Sequence, residues 1–328
     1  MKRLIPTIVL VVLCIGGFWY ASSRDFFREK PPETPGLVTV KKDEVTGFTI
    51  RSGASEIVME RKDGGWTMIQ PSPLPLTAYD ADAWVDKFAS LKKDKLVTEN
   101  AADLGQFGLA EPGQRYTVKL AGGTEQTLEV GDATPVSGYS YAKVSGSPQV
   151  FQLADATLQQ LAKQPIDFME KTAVKVEYEK VRSLSVDWKG TSWTLTKTEP
   201  DKSSFEAKWK LGERELPGVD ATGYMDRAAS LITEQLVKPT ADVEGLNTPE
   251  LRLSLKHAGD DGKETDTDYV GRADGELVWI ARQGGEWAYA VPVGAVQELA
   301  DKGTEQPESE ASPQEEAALQ DGAGATTP

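Results

Sequence analysis

The sequence predicts an α+β fold: two tandem copies of an antiparallel-sheet-plus-helix domain behind an N-terminal transmembrane helix. Three observations carry this. Apolar residues alternate with a period of two in short stretches bounded by Gly and Pro, then switch to a period near three and a half, the pattern of strands interrupted by helices. A series of landmarks recurs in the same order 136 to 140 residues further along the chain. An uncharged run, Leu4 to Tyr20, stands directly behind Met1, Lys2 and Arg3.

As a helix, that run reaches about 25 Å at ~1.5 Å per residue, near the short limit for a hydrocarbon core of ~30 Å. It fits an uncleaved anchor whose interfacial end is the aromatic cluster Phe18-Trp19-Tyr20, and it also fits a signal-peptide core cleaved near Ala21-Ser22-Ser23. Residues 1–23 are therefore read as a transmembrane anchor or signal peptide. Lys2 and Arg3 favour a cytoplasmic amino terminus, which places the remaining domains outside the cytoplasm, on a single pass through the cytoplasmic membrane. Cys14 follows Leu13, where a lipoprotein site wants a small residue, and reads as one more apolar side chain of the span. Residues 24–44, with Pro31, Pro32 and Pro35 among mixed charges, form a stalk linker.

Residues 45–172 make the first α+β repeat. Val45 to Ile50 opens it as a strand, and Glu56 to Glu60, the Asp63-Gly64-Gly65 turn and Trp66 to Ile69 form a hairpin. Trp84, Phe88 and Leu91 lie at spacings of four and three on one face of a helix capped by Asp80 or Asp82. The turn Phe107 to Pro112 (FGLAEP) leads into a strand from Tyr116 to Leu120. LEVGDA from Leu128, strands at Tyr139 to Val144 and Val150 to Leu153, and a helix with Leu158 and Leu161 complete the copy.

Residues 173–302 repeat this order. Val181 to Val186 answers the first strand, and DATGYMDRAASL answers the helix. The apolar positions of that helix are Met225, Ala229 and Ile232 by spacing, or Met225, Ala228 and Leu231 by register with the first copy. EGLNTP, Glu244 to Pro249, answers FGLAEP, and DYVGRA at Asp268 pairs Gly271 with Gly131. Strands at Leu251 to Leu255, Leu277 to Arg282 and Trp287 to Val291 precede a helix with Val296 and Leu299. Residues 303–328 carry Glu305, Glu308, Glu310, Glu315, Glu316 and Asp321 without a cation, a disordered acidic tail.

Composition excludes several functions. With 36 Lys+Arg against 51 Asp+Glu, the net charge is −15, the opposite of the field a nucleic-acid binder needs, so no nucleic-acid partner is expected. One Cys rules out an internal disulfide, and one His with one Cys rules out Cys/His zinc sites. No G-x-S-x-G, G-x-G-x-x-G or Walker A loop occurs.

The remaining candidates are weak. Ser90-Leu91-Lys92-Lys93 satisfies S-x-x-K but lacks S-D-N and K-T-G partners, and reads as an exposed helix end. His257 has the chemistry of a base, yet it stands before Gly259-Asp260-Asp261-Gly262 and reads as a solvated turn residue. Asp260, Asp261, Glu264, Asp266 and Asp268 crowd carboxylates of the type calcium takes, without EF-hand spacing. Trp66, Trp188, Trp193, Trp209, Trp279 and Trp287 serve either the core or a glycan or peptide groove. No catalytic, cofactor-binding or metal-binding residue and no cofactor is assigned, and the chain is expected not to be an enzyme.

The Gly-Gly-Trp hairpin, the helix ending at Leu91, FGLAEP, the GDA turn at Gly131 and YSYAKVSGSPQVFQL together resemble an uncharacterised bacterial family, domain of unknown function 4340. The likeness covers most of residues 45 to 300 when both copies are counted and is weaker in the second, which has Glu244 for Phe107 and no Tyr-x-Tyr strand. The resemblance implies a membrane-anchored envelope protein, with subunits of an ABC-type exporter as candidate protein partners. The residues themselves leave open an interaction module, a carboxylate-dependent envelope hydrolase and a glycan- or peptide-binding module.

Overall fold

The computed structural model describes residues 36–259 and 263–305, and over them the fold is α+β with two antiparallel sheets. The anchor or signal peptide, Cys14, most of the stalk, Asp260, Asp261 and the tail beyond Glu305 lie outside the described residues. Among the described residues no helix is long and apolar enough to cross a membrane. The chain packs as two units, residues 36–71 with 79–163 and residues 72–78 with 164–305.

The first unit has β1 (Val45–Ser52), β2 (Ser55–Lys62), β3 (Gly65–Gln70), β4 (Lys95–Thr98), β5 (Gln114–Leu120), β6 (Glu125–Ala133), β7 (Tyr139–Val144) and β8 (Val150–Ala154). The β2–β3 hairpin closes through Asp63 and Gly64, both left-handed at φ 51° and 80°, the two-residue turn whose twist matches that of the strands. Helix α1 (Asp80–Ala89) buries Ala81, Trp84, Val85 and Phe88. Trp84 stacks on Phe48 of β1 with centroids 4.2 Å apart, and its indole donates to the Leu161 carbonyl at 3.0 Å, the last residue of α2 (Asp155–Leu161).

Neither aspartate caps α1. Tyr79 precedes the helix without a side-chain cap, and Asp80 and Asp82 lie in the first turn, where their charge favours the positive end of the dipole. The Asp82 carboxylate accepts instead from Arg61 at 2.6 Å and from the Trp66 indole at 2.8 Å, so contacts with the sheet outcompete the local cap.

The second unit has β9 (Val181–Trp188), β10 (Thr191–Lys197), β11 (Lys208–Leu211), β12 (Arg214–Pro217), β13 (Lys238–Pro239), β14 (Leu251–Ala258), β15 (Glu264–Asp274), β16 (Leu277–Arg282) and β17 (Trp287–Pro292). Its helices are α3 (Gly218–Ala229) and α4 (Val293–Lys302). Met225, Ala228 and Leu231 pack with Val296 and Leu299 over Leu184, Val186, Leu253 and Ile280. The spacing Met225-Ala229-Ile232 does not hold. The helix ends at Ala229, the chain beyond it is extended, and alternation puts Leu231 inward and Ile232 outward, 47% exposed and bridged to Thr172.

Strand order in the first sheet is β3-β2-β1-β5-β6-β7-β8-β4, and in the second β12-β11-β10-β9-β14-β15-β16-β17-β13. Apart from the extra edge strand β12, the two orders match strand for strand. The Leu37 amide donates to the Leu91 carbonyl at 2.8 Å, and the Ala173 amide to the Leu231 carbonyl at 2.8 Å. Gly108 and Gly245 take left-handed conformations, φ 67° and 79°, in the two Gly-Leu turns, where a side chain would be strained.

One matched pair is displaced. Val130 faces Gln114 where Gly271 faces Leu251, so Gly271 occupies the place of Val130. The β6–β7 register slips between Val130 and Ala133, while the β15–β16 register runs without a break. The first unit therefore holds one extra residue in a bulge there, and the sequence match of Gly131 to Gly271 is off by one.

Candidate functional site

On the helix face of the second sheet, β14 presents Leu251, Leu253 and Leu255, all buried, and the same face continues as His257. β16 likewise passes from Val278 and Ile280 to Arg282, and β17 from Val291 to Tyr289 and Trp287. Strand pairing sets these ends side by side: His257 opposite Thr265, Tyr269 opposite Arg282, and Ile280 opposite Tyr289. With the segment 172–180 as a wall, they line a cleft of about 470 Å³. That is the size of a small-molecule pocket, roughly 300–1,000 Å³.

The wall is held by its own bonds. The Lys175 amide donates to the Tyr269 hydroxyl at 3.2 Å, the Lys175 ammonium pairs with Glu170 at 3.1 Å, and Lys180 pairs with Glu177 at 3.2 Å. Burial opposes the charge on Glu170, but the Thr172 amide and the Lys175 ammonium outweigh it and hold the carboxyl below its usual range. Burial, with lesser help from the Glu170 carboxylate and Tyr269, pushes the Tyr289 phenol up to about 12, so it remains a donor at neutral pH.

His257 is part of this floor and not a solvated turn residue. Its Nε2 is buried without a hydrogen-bond partner. Burial first of all, then the charges of Lys180 and Arg282, holds the imidazole below its ordinary value, against the pull of Glu177 and Asp266. The neutral ring is hydrogen bonded to no hydroxyl or carboxylate among the described residues, so it forms no nucleophile–base pair there. The cleft offers hydrogen-bond donors and flat aromatic surface, the equipment of binding. Spacing alone hid this, because Arg282, Trp287, Tyr289 and His257 come from three strands that only sheet pairing brings together.

The other candidates fall elsewhere. The Ser90 hydroxyl donates back to the Lys87 carbonyl at 3.0 Å, while the Lys93 ammonium sits 4.7 Å over the Phe151 ring, so the S-x-x-K residues form no dyad. Glu264 and Asp266 lie 3.5 and 3.7 Å from the Lys256 ammonium. Among the described residues no Asp or Glu is fully buried, and no group of acids, His or Cys is arranged to hold a metal ion. Trp188, Trp193, Trp209 and Trp279 are buried, and Trp66 and Trp287 are half-buried, so the tryptophans make no exposed row.

A family model described as Domain of unknown function (DUF4340) matches residues 66–241. The chain belongs to this family. The DUF4340 match is one continuous stretch that begins at Trp66 in β3 and runs into the second unit. It takes in the cleft wall at 172–180 and stops short of His257, Arg282, Trp287 and Tyr289. No curated protein and no solved structure matches the chain.

Proposed function

We propose that this DUF4340 protein is a membrane-anchored extracytoplasmic interaction module built from two copies of one domain, residues 45–172 and 173–302, and that it acts without catalysis. Its place is the cytoplasmic membrane, with Leu4 to Tyr20 as the single pass and the domains outside the cytoplasm. Its partners are subunits of an ABC-type exporter or of another envelope complex.

The observation that supports this reading is the shared strand order of the two sheets, down to the paired Leu37–Leu91 and Ala173–Leu231 hydrogen bonds. Duplicated scaffolds on one tether place two docking surfaces at a fixed effective concentration, which strengthens binding without new contacts. Crosslinking of the native anchored chain followed by mass spectrometry tests it. Recovery of exporter or other envelope subunits is expected; crosslinks confined to lipid and cell wall would remove the partner assignment.

A further inference from the structure

We infer that the cleft at the open end of the second sheet is a binding site for a small monocarboxylate that carries a flat apolar group. This does not rest on the partner reading above.

Several donors in the lining are left without a partner among the described residues. The Arg282 guanidinium, the Trp287 indole and the Tyr289 hydroxyl have no hydrogen-bond partner among the described residues, and His257 Nε2 is buried and orphaned beside them. A buried polar atom without a partner calls for a group that meets it. The guanidinium is a planar fork that fits a carboxylate with two parallel bonds. Of the cations lining the cleft, Lys175 and Lys180 are neutralised by Glu170 and Glu177, which leaves one unpaired positive charge. Arg282 acts on His257 through space, and Glu286 is an anion of the same lining without an ion pair among the described residues. Among the described residues, a single free cation with one free anion in the same lining suits a single negative charge and opposes a dianion. Trp287 and Tyr289 supply the flat surface for an apolar body.

The first unit provides the internal control. Leu120 pairs with Val45 past a register slip as His257 pairs with Val181 past one, so His257 stands where the first unit has Leu120. By the same registers Arg282 stands in place of Val144, and Tyr289 in place of Phe151. The corresponding hollow is smaller, about 320 Å³. Its Gln126 side chain accepts from the Thr39 amide at 3.1 Å and donates to the Thr39 carbonyl at 3.0 Å, and Lys93 covers Phe151. That end engages its own polar side chains; its counterpart presents a donor set.

The chain contains one histidine, so the imidazole resonances of His257 report on the cleft without assignment. The full-length isotope-labelled chain in mild detergent is titrated with phenylacetate, phenylacetamide and inorganic phosphate. A saturable shift in the millimolar range is expected with phenylacetate and not with the other two. Arg282→Gln, at an exposed position, keeps the fold by circular dichroism and weakens phenylacetate about tenfold or more, and Arg282→Lys restores it only in part. No saturable shift, an equal response to phosphate or to the amide, or unchanged binding by Arg282→Gln would each overturn the inference.

Discussion

The two units solve one topology with different side chains, and the difference is clearest at their cores and at the open ends of their sheets. In the first unit the helix delivers the bulk: Trp84 and Phe88 stack in line with Phe48, 4.2 and 5.5 Å between successive rings. In the second the helix keeps one buried aromatic, Tyr224, edge-on to Trp193 at 5.5 Å, and otherwise offers Met225 and Ala228, while the sheet adds bulk through Trp188 and Trp209, both fully buried. Part of the aromatic bulk thus moves from the helix layer to the sheet, an exchange that close packing allows. At the sheet ends, Leu120, Val144 and Phe151 face His257, Arg282 and Tyr289 as counterparts. A strand order sets where side chains meet and leaves open what chemistry they bring.

The most severe way to break this comparison is through the cores. Trp84→Ala should lower the stability of the first unit by ~3–5 kcal/mol in urea titrations, and Trp188→Ala should do the same to the second. Ala228→Phe, which copies Phe88 into the second helix, should cost ~1–3 kcal/mol because the sheet already fills that space. A neutral Ala228→Phe would show that the volumes are not exchanged between layers.

The bulge gives the next effect. A Cβ on Gly131 would overlap the Phe107 carbonyl oxygen, part of the backbone of the Gly-Leu turn. On Gly271 it would press at 3.0 Å on the side chains of Leu251 and Val278, which can give way. Gly131→Ala should therefore lower stability by about 3 kcal/mol and Gly271→Ala by about 1 kcal/mol. Equal losses would mean that the two glycines are counterparts after all.

A smaller effect separates the sheet ends by pH. Burial lowers the His257 pKa from its ordinary 6.5, so the unfolded chain binds the proton more readily than the folded one. The stability it contributes is full above the ordinary value and declines as pH falls below it. Thermal unfolding of the intact chain should fall more on acidification than that of His257→Gln. Parallel curves for the two would place the imidazole in solvent. Smallest of all, Arg282→Gln should leave stability within about 0.5 kcal/mol, because the guanidinium is exposed and has no ion pair among the described residues. A larger loss would make Arg282 structural.

Much of the fold is legible in the chain because its signals are local. The Asp63-Gly64 turn, the alternation of Leu277 to Arg282 and the spacing of Trp84 and Phe88 each depend on neighbours a few residues away and hold, although the helix ends at Ala89 and Leu91 is buried just beyond it. The Gly-Leu turns are also local, since the left-handed glycine and the proline that follows lie within one short segment, Gly108 to Pro112 and Gly245 to Pro249. The failures are equally informative. The cap expected at Asp82 was lost to Arg61 and Trp66, a cross-strand pair of the β2–β3 hairpin that lies far from the helix in sequence. Ile232 turned outward because the helix stopped at Ala229, and the match of Gly131 to Gly271 slipped because one sheet took in an extra residue.

By itself, then, the sequence determined the α+β class, the positions of the strands and helices with a clear period, though not β4 or β10 to β13, the recurrence of landmarks and the chemistries ruled out by one His and one Cys. Tertiary structure alone decided the cleft. His257, Arg282, Trp287 and Tyr289 are ordinary residues of three strands, and nothing in their spacing marks them. Sheet register placed their side chains on one face, and burial left Nε2 of His257 without a partner. Pairing of the lysines with Glu170 and Glu177 then left Arg282 as the lining cation without an ion pair among the described residues. Each of these depends on residues far apart in the chain, because desolvation and charge pairing are properties of what surrounds a group and not of the group itself.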